Sequence, residues 1–378
     1  MSTTIQSLEQ ACSEGSLLES TMQNILALLQ RAGNPLDAAV IDELAEAGAW
    51  QELNDRFFRT LVFGTGGLRG KTIGGQVTAA ERGTAPQPLG RPEHACVGTN
   101  AMNPYNISRA TQGLAIYLKN WFAEQNLPGS PSVCISYDTR HFSREFAELT
   151  AKILVEHGVH ALLFDGPRST PELSFAVRRH RASAGINITA SHNPPEYNGY
   201  KVYFDDGGQV VEPHASGIIR CVEAVTSENY EAVLPDEQGS FVYLGRETDE
   251  AYLKKLETLL LDPGMVAAQR ERLRIVYTPI HGVGSVTIKP LLERLGFNFS
   301  IVTEQDQPDG RFPTVSSPNP EVPAALRMAL EQAEREAADL VLATSGGAGS
   351  GRPRPCHRPG RRSPRVRRPL CRWLDAAA

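Results

Sequence analysis

Cysteine is scarce in this chain of 378 residues. The six, at positions 12, 96, 134, 221, 356 and 371, show no metal-ligand spacing. That excludes a disulfide scaffold or a cysteine-rich zinc module and points to reduced thiols in a cytoplasmic protein. Long apolar runs are missing too. No stretch approaches about 18 uncharged apolar residues, so no segment is expected to span a bilayer. The N-terminus, Met1-Ser-Thr-Thr-Ile-Gln-Ser-Leu-Glu, lacks the basic head and apolar core of a signal peptide. Hydrophobic residues at 41% and charged residues at 21% are ordinary values that exclude global disorder. The length predicts about two or three domains.

Lysine and glutamate are absent from residues 345–378, which hold nine Arg, one Asp, five Pro and five Gly. That stretch carries +8, so residues 1–344 carry −13 of the net −5. One chain contains two compositions, and the break falls near Thr344.

Residues 1–62 read as helical, because Leu17, Leu18, Met22, Ile25, Leu26 and Leu29 recur near the 3.6 period. A second run, Leu36 to Leu61, starts after Pro35 with Asp37 near its cap. Phe63 to Gly75 is glycine-dense, residues 76–106 read as a long surface loop, and an amphipathic helix follows Ser108. From Val133 the pattern alternates between strands (Val133–Tyr137, Val159–Phe164, Gly185–Thr189, Tyr200–Phe204) and helices (Ser143–His157, Pro171–His180, Pro213–Val225). Residues 226–246 read as a linker. The alternation then resumes with helix Asp249–Leu261, strand Arg274–Tyr277, helix Gly284–Leu295, strand Phe297–Val302, helix Pro323–Ala337 and strand Leu340–Ala343. Strands separated by helices of this length imply βαβ crossovers and a mostly parallel sheet.

The strongest local signal is Thr189-Ala-Ser-His-Asn-Pro-Pro-Glu-Tyr-Asn-Gly-Tyr-Lys201. It lies beyond the carboxyl end of a buried strand, where open α/β sheets place ligands. Ser191 offers a hydroxyl nucleophile and His192 a proton carrier, while the prolines and Gly199 stiffen the loop. A plain polar connection between strands would have the same composition. The second signal is Phe63-Gly-Thr-Gly-Gly-Leu-Arg-Gly-Lys71. Its glycines let backbone N–H groups approach a phosphate, and Arg69 can fork onto two oxygens. It has neither the ending of a P-loop nor the preceding strand of a dinucleotide fingerprint. Tyr277-Thr-Pro-Ile-His-Gly-Val-Gly284 opens a helix, with His281 read as structural. Asp138-Thr-Arg140 follows a strand and reads either as a charge at the same rim or as an Asp turn with a solvated Arg.

Together these segments resemble the α-D-phosphohexomutase superfamily, which includes phosphoglucomutases and phosphomannomutases. Thr-Ala-Ser-His-Asn-Pro looks like its phosphoserine loop and Phe-Gly-Thr-Gly-Gly-Leu-Arg-Gly like its first active-site loop. Tyr137-Asp-Thr-Arg140, residues 277–284, Gln307-Pro-Asp-Gly-Arg-Phe-Pro-Thr314 and Pro318-Asn-Pro-Glu321 match in the same order. The helical extension looks most like the phosphoglucomutase/phosphopentomutase branch. The resemblance implies an α/β fold of two domains with mixed, mostly parallel sheets flanked by helices. It divides the chain into a helical N-terminal extension (1–62), domain I (63–225), domain II cut at its metal loop (226–344) and an Arg/Pro/Gly tail (345–378). It implies an intramolecular phosphotransferase that interconverts sugar 1- and 6-phosphates, glucose favoured, through a sugar bisphosphate that also serves as activator. Ser191 would carry the phosphoryl group, and its phosphate oxygen would be a ligand of Mg²⁺. Arg69, Lys201 and His192 would stabilise charge and move protons, and Thr65, Gly66, Gly67 and Arg69 would hold the phosphate.

The departure comes after Thr344. The family continues into an Asp-rich loop whose carboxylates hold Mg²⁺. Here Ser345-Gly-Gly-Ala-Gly-Ser350 follows, with no aspartate until Asp375. The family's third and fourth domains are expected to be absent, activity impaired, and the tail a disordered product of a reading-frame slip. One aromatic, Trp373, gives the tail no stacking platform for nucleic acid. A non-catalytic phosphosugar-binding protein and a serine-dependent phosphatase are the rival functions. Pentose and mannose phosphates stay open as substrates, and oligomeric state is not legible.

Overall fold

The computed structural model describes residues 2–31, 34–347 and 351–355. The helical extension comprises α1 (Ser2–Ser13), α2 (Glu19–Arg31), α3 (Pro35–Glu46) and α4 (Trp50–Phe57). Leu8, Ile25, Val40, Ile41, Leu44, Leu53 and Phe57 meet in one buried cluster. Each contributes about 1.5–3 kcal/mol by leaving water. Asn34 caps α3 by accepting the Leu36 N–H, with Pro35 at the first helical position.

The first sheet has six strands: β1 (Gly67–Lys71), β2 (Ser132–Tyr137), β3 (His160–Phe164), β4 (Ala184–Ile188), β5 (Tyr197–Phe204) and β6 (Phe241–Leu244). Their order is β1-β5-β4-β2-β3-β6. β4, β2, β3 and β6 run parallel, whereas β5 pairs antiparallel with both β4 and β1. The helices of this unit are α5 (Ala79–Arg82), α6 (Pro104–Glu124), α7 (Ser143–Glu156), α8 (Thr170–His180) and α9 (His214–Ala224). Alternate strand residues face opposite layers. Val133 and Ile135 join the core with α6, α7 and α9, while Cys134 packs with Leu173 and Val177 of α8.

The second unit holds α10 (Arg246–Glu257), α11 (Pro263–Gln269), β7 (Arg274–Thr278), α12 (Gly284–Arg294), β8 (Asn298–Ile301), α13 (Thr303–Asp306), α14 (Arg327–Glu336), β9 (Leu340–Thr344) and β10 (Gly351–Pro355). The strand order is β10-β9-β7-β8, parallel except for β10 on β9. One part-buried and one buried pair join the units. Arg168 donates to both oxygens of Asp249, at 2.8 and 2.9 Å, and Thr287 donates to Glu172 at 3.0 Å.

Five segments depart from the sequence reading. Gly67–Lys71 is a strand despite its glycines, because it pairs along β5. Residues 76–106 are not a surface loop throughout. Ala95, Cys96, Val97, Ala101 and Met102 are buried, and the Cys96 and Met102 N–H groups bond to Thr72 and Lys71. The helix read as following Ser108 begins at Pro104, capped by Asn103, whose side chain accepts the Asn106 N–H at 3.2 Å. The segment read as a linker contains β6, which extends the first sheet beyond Val225 to Leu244. Of the tail, Gly351–Pro355 is a strand. Its two prolines lack N–H groups and are tolerated at a sheet edge. The remaining tail positions fall outside the described residues.

Candidate active site

Residues 189–196 connect β4 to β5 at the carboxyl end of β4. Ser191 occupies the left-handed region at φ 56°, unusual for a residue with a side chain. Two neighbours hold it there. Its N–H donates to Thr189 Oγ1 at 2.9 Å, and Thr189 donates to Asp138 Oδ2 at 2.6 Å. Its carbonyl accepts from Arg140 Nη2 at 2.9 Å.

Arg140 is the anchor of this loop. Besides Ser191, its guanidinium donates to the carbonyls of Asn193, Pro194 and Tyr197. Its side chain is fully buried beside Asp138, and the ring of Phe312 from the second unit covers it. Neither sequence reading of Arg140, rim charge or solvated side chain, describes it. It is an internal brace. Asp138 also accepts from Ser143 Oγ at 2.8 Å, and the buried Asn198 donates to the same Ser143 oxygen at 2.9 Å. Sequence reasoning passed over Ser143 and Asn198. The available signal was Asp138-Thr-Arg140 at a strand end, since a strand-terminal acid next to an arginine requires partners once buried.

The loop presents its hydroxyl to a positive surround. Ser191 Oγ lies 3.4 Å from His192 Nδ1. Lys201 sits in β5 between Gly67 of β1 and Asn187 of β4, and Arg69 lies opposite Gly199. Burial, and then the Arg69 charge, hold the Lys201 ammonium below its ordinary range. Burial lowers the His192 imidazole, and Arg69 adds to this while Glu321 of the second unit opposes it. Burial is the larger cause of both depressions, and the neighbouring cations add to it, so a dianion at Ser191 would relieve the second part. Ser191, His192, Lys201 and Arg69 are therefore brought together.

The glycine-rich segment works differently from an open phosphate cradle. A Cβ on Gly67 would lie 1.8 Å from the Tyr200 carbonyl oxygen, and one on Gly66 would strike the Gln209 side chain. Gly67, at φ 123° against β5 backbone, is required by the close packing of β1 on β5. Thr65 beside them is exposed. His281 is buried, with its two ring nitrogens engaged by the Gln307 carbonyl and Thr314 Oγ1. Its own carbonyl accepts from Thr139 of the first unit at 3.0 Å. That matches the structural part assigned to it.

Beyond β9, Ser345-Gly346-Gly347 runs directly past the loop. A Cβ on Gly346 would lie 3.1 Å from the Ser191 carbonyl oxygen, and one on Gly347 would lie 3.0 Å from Thr189 Oγ1. No carboxylate stands on this stretch, and no cluster of three or more metal-ligating side chains occurs among the described residues. The donors present do not fit Mg²⁺, which takes about six oxygens in octahedral array.

Family models for phosphoglucomutase/phosphomannomutase α/β/α domains I and II match residues 94–229 and 250–349. The chain belongs to the phosphoglucomutase/phosphomannomutase family. It is similar to the phosphoglucomutase of Staphylococcus epidermidis, 34% identical over 313 residues, 82% of this chain and 51% of that protein. It is also 34% identical over 297 residues to that of Staphylococcus aureus, 78% of this chain and 48% of that one. Among solved structures, a Thermus thermophilus protein described as a phosphomannomutase aligns with a TM-score of 0.60 and 25% identity, over 78% of this chain and 57% of that one. Parafusin, a phosphoglucomutase from Paramecium solved in an open form, shares the fold with a TM-score of 0.55 and 17% identity, over 79% of this chain and 54% of that one. This family member thus spans about half the length of the curated relatives it matches. Among its described residues no helix is long and apolar enough to cross a membrane.

Proposed function

We propose that this family member carries the phosphoryl-transfer half of a phosphosugar mutase, with Ser191 as the carrier. The observation that supports this most is the placement of an accessible hydroxyl, on a residue braced in a left-handed conformation, beside His192, whose imidazole feels the charges of Arg69 and Lys201. A sugar hydroxyl attacks the phosphorus of phosphorylated Ser191, the P–Oγ bond breaks, and the hydroxyl proton passes to Ser191 Oγ. His192, mostly neutral at neutral pH, is placed to relay that proton. Arg69 and Lys201 neutralise the equatorial oxygens, where such reactions concentrate charge. Thr65 and the backbone at Gly66 and Gly67 flank the phosphate as it arrives. The substrate is a hexose monophosphate, glucose favoured over mannose or pentose, and a sugar bisphosphate primes the serine. The family's usual Mg²⁺ would add charge neutralisation. The residues beside Ser191 supply no such ligand set, so turnover is expected to be impaired.

A second reading, a phosphosugar binder without turnover, is favoured by the run of Ser345, Gly346 and Gly347 past Ser191 with no carboxylate. A coupled assay of glucose 1-phosphate conversion, primed with glucose 1,6-bisphosphate, separates the two when combined with mass spectrometry of Ser191. Phosphate on Ser191 with slow turnover supports the mutase. Binding of glucose 1-phosphate with an unmodified serine and no turnover supports the binder. Phosphate on another residue refutes both assignments of Ser191.

A further inference from the structure

A cavity of about 280 Å³ opens between the helical extension and the first α/β unit, away from the Ser191 loop. α3 contributes Asp37, and the segment after α9 contributes Glu228. Asp37 is 9% exposed, and its carboxylate has no hydrogen-bond or ion-pair partner among the described residues. Glu228 Oε2 is buried and also has none. Two carboxylates of like charge thus face one space without a direct partner, while Arg91 Nη1 stands unpaired on the same wall out of hydrogen-bond distance of both, an arrangement that costs free energy unless something fills the gap.

The neighbouring charges do not provide that partner. Arg91 is paired with Glu145 and lies 4.3 Å over the ring of Phe142. Burial, then the charge of Glu228, push the Asp37 carboxyl up to about 6, and no basic group among the described residues offsets them. Glu93 accepts the N–H groups of Thr84 and Ala85, and His94 completes the polar lining. The remaining wall is aromatic: Tyr105, Phe142 and Phe146. Arg91 already lies over the Phe142 ring and Arg109 over the Tyr105 ring, at 4.3 and 5.4 Å, so this wall takes cations on its aromatic faces. A hard metal ion would instead need more converging oxygens than two carboxylates supply, and no metal-holding cluster occurs among the described residues. Arg91 Nη1, buried on the same wall without a partner, would meet a hydroxyl or carbonyl of the occupant.

We propose that this cavity binds a small organic cation, an ammonium or guanidinium on a short aliphatic chain, held between Asp37 and Glu228 and against Tyr105, Phe142 and Phe146. Its occupant would fasten the helical extension to the first α/β unit, because the two carboxylates come from those separate parts. The idea does not depend on the chemistry at Ser191.

The test is isothermal titration of the full chain at about pH 8, above the raised Asp37 value of about 6. Putrescine, agmatine and ethanolamine are used as separate probes, with potassium and magnesium chloride as inorganic arms. The expected result is binding of at least one organic cation, weakened about tenfold or more by Asp37→Asn and by Glu228→Gln. Binding should also weaken at about pH 5, where Asp37 is protonated. Asp37→Asn removes an unpaired buried charge, so its unfolding midpoint should stay level or rise, and Glu228→Gln provides an independent second variant. Three outcomes overturn the proposal: no organic probe binds in the millimolar range, binding survives both substitutions, or only the inorganic ions titrate.

Discussion

Replacing Arg140 with methionine tests whether the Ser191 loop is held from within. The guanidinium donates to the carbonyls of Ser191, Pro194 and Tyr197 at 2.9, 2.8 and 3.0 Å, as well as to Asn193. Each hydrogen bond from a charged donor is worth about 1.5–3 kcal/mol. The loop lies near the surface, so water can replace some of these bonds and the losses do not add. What water cannot reach is Asp138, 1% exposed and left without its cation. Breaking a buried pair from one side costs about 3–5 kcal/mol, and that range is the expectation for Arg140→Met in urea unfolding. Arg140→Lys keeps the charge but has three donors in place of the planar fork, so it should recover part of the loss. At a temperature where both variants remain folded, incorporation of phosphate from glucose 1,6-bisphosphate should fall more in methionine than in lysine. An Arg140→Met protein within about 0.5 kcal/mol of the parent, and phosphorylated at the parental rate, would show that the brace is incidental.

Other consequences follow from the same geometry. Ser191→Ala and Ser191→Gly should both lose phosphate incorporation, but only the glycine variant should melt higher, by relief of about 1 kcal/mol of left-handed strain; equal melting points would remove the strain argument. Gly67→Ala places a methyl 1.8 Å from the Tyr200 carbonyl oxygen, so urea titration should show a loss of about 3 kcal/mol or more as β1 separates from β5. His141 is buried, chiefly desolvated and opposed by Arg91, and its imidazole is lowered from 6.5 to about 4. Between those values the unfolded chain binds more protons, so stability rises with pH across that window, by about 3 kcal/mol in all. His141→Gln should flatten that part of the profile, and an unchanged slope would place the effect elsewhere.

Much of the fold was legible because its signals are local. The period of Leu17 to Leu29, the short apolar runs at 133–137 and 340–343, and the Pro and Ser residues at helix starts each report on a few neighbouring positions. The position of the loop that carries Ser191 was legible for the same reason: a stiff polar loop after a buried strand is a local pattern. Elements that depend on distant partners were not. Gly67–Lys71 becomes a strand because β5, some 130 residues later, supplies its hydrogen bonds, and Gly67 leaves room for the Tyr200 carbonyl that a side chain would strike. Residues 95–103 look irregular because their backbone bonds to Arg56, Lys71 and Thr72 rather than to their own neighbours. Arg140 reads as a surface charge until the Ser191 loop closes over it and Phe312 of the second unit covers it. Composition and periodicity thus established the α/β units and their chemistry-bearing loops. Assembly alone determined that Arg69 stays exposed while Arg140 faces the chain, since burial and charge compensation arise only when segments far apart in sequence come into contact.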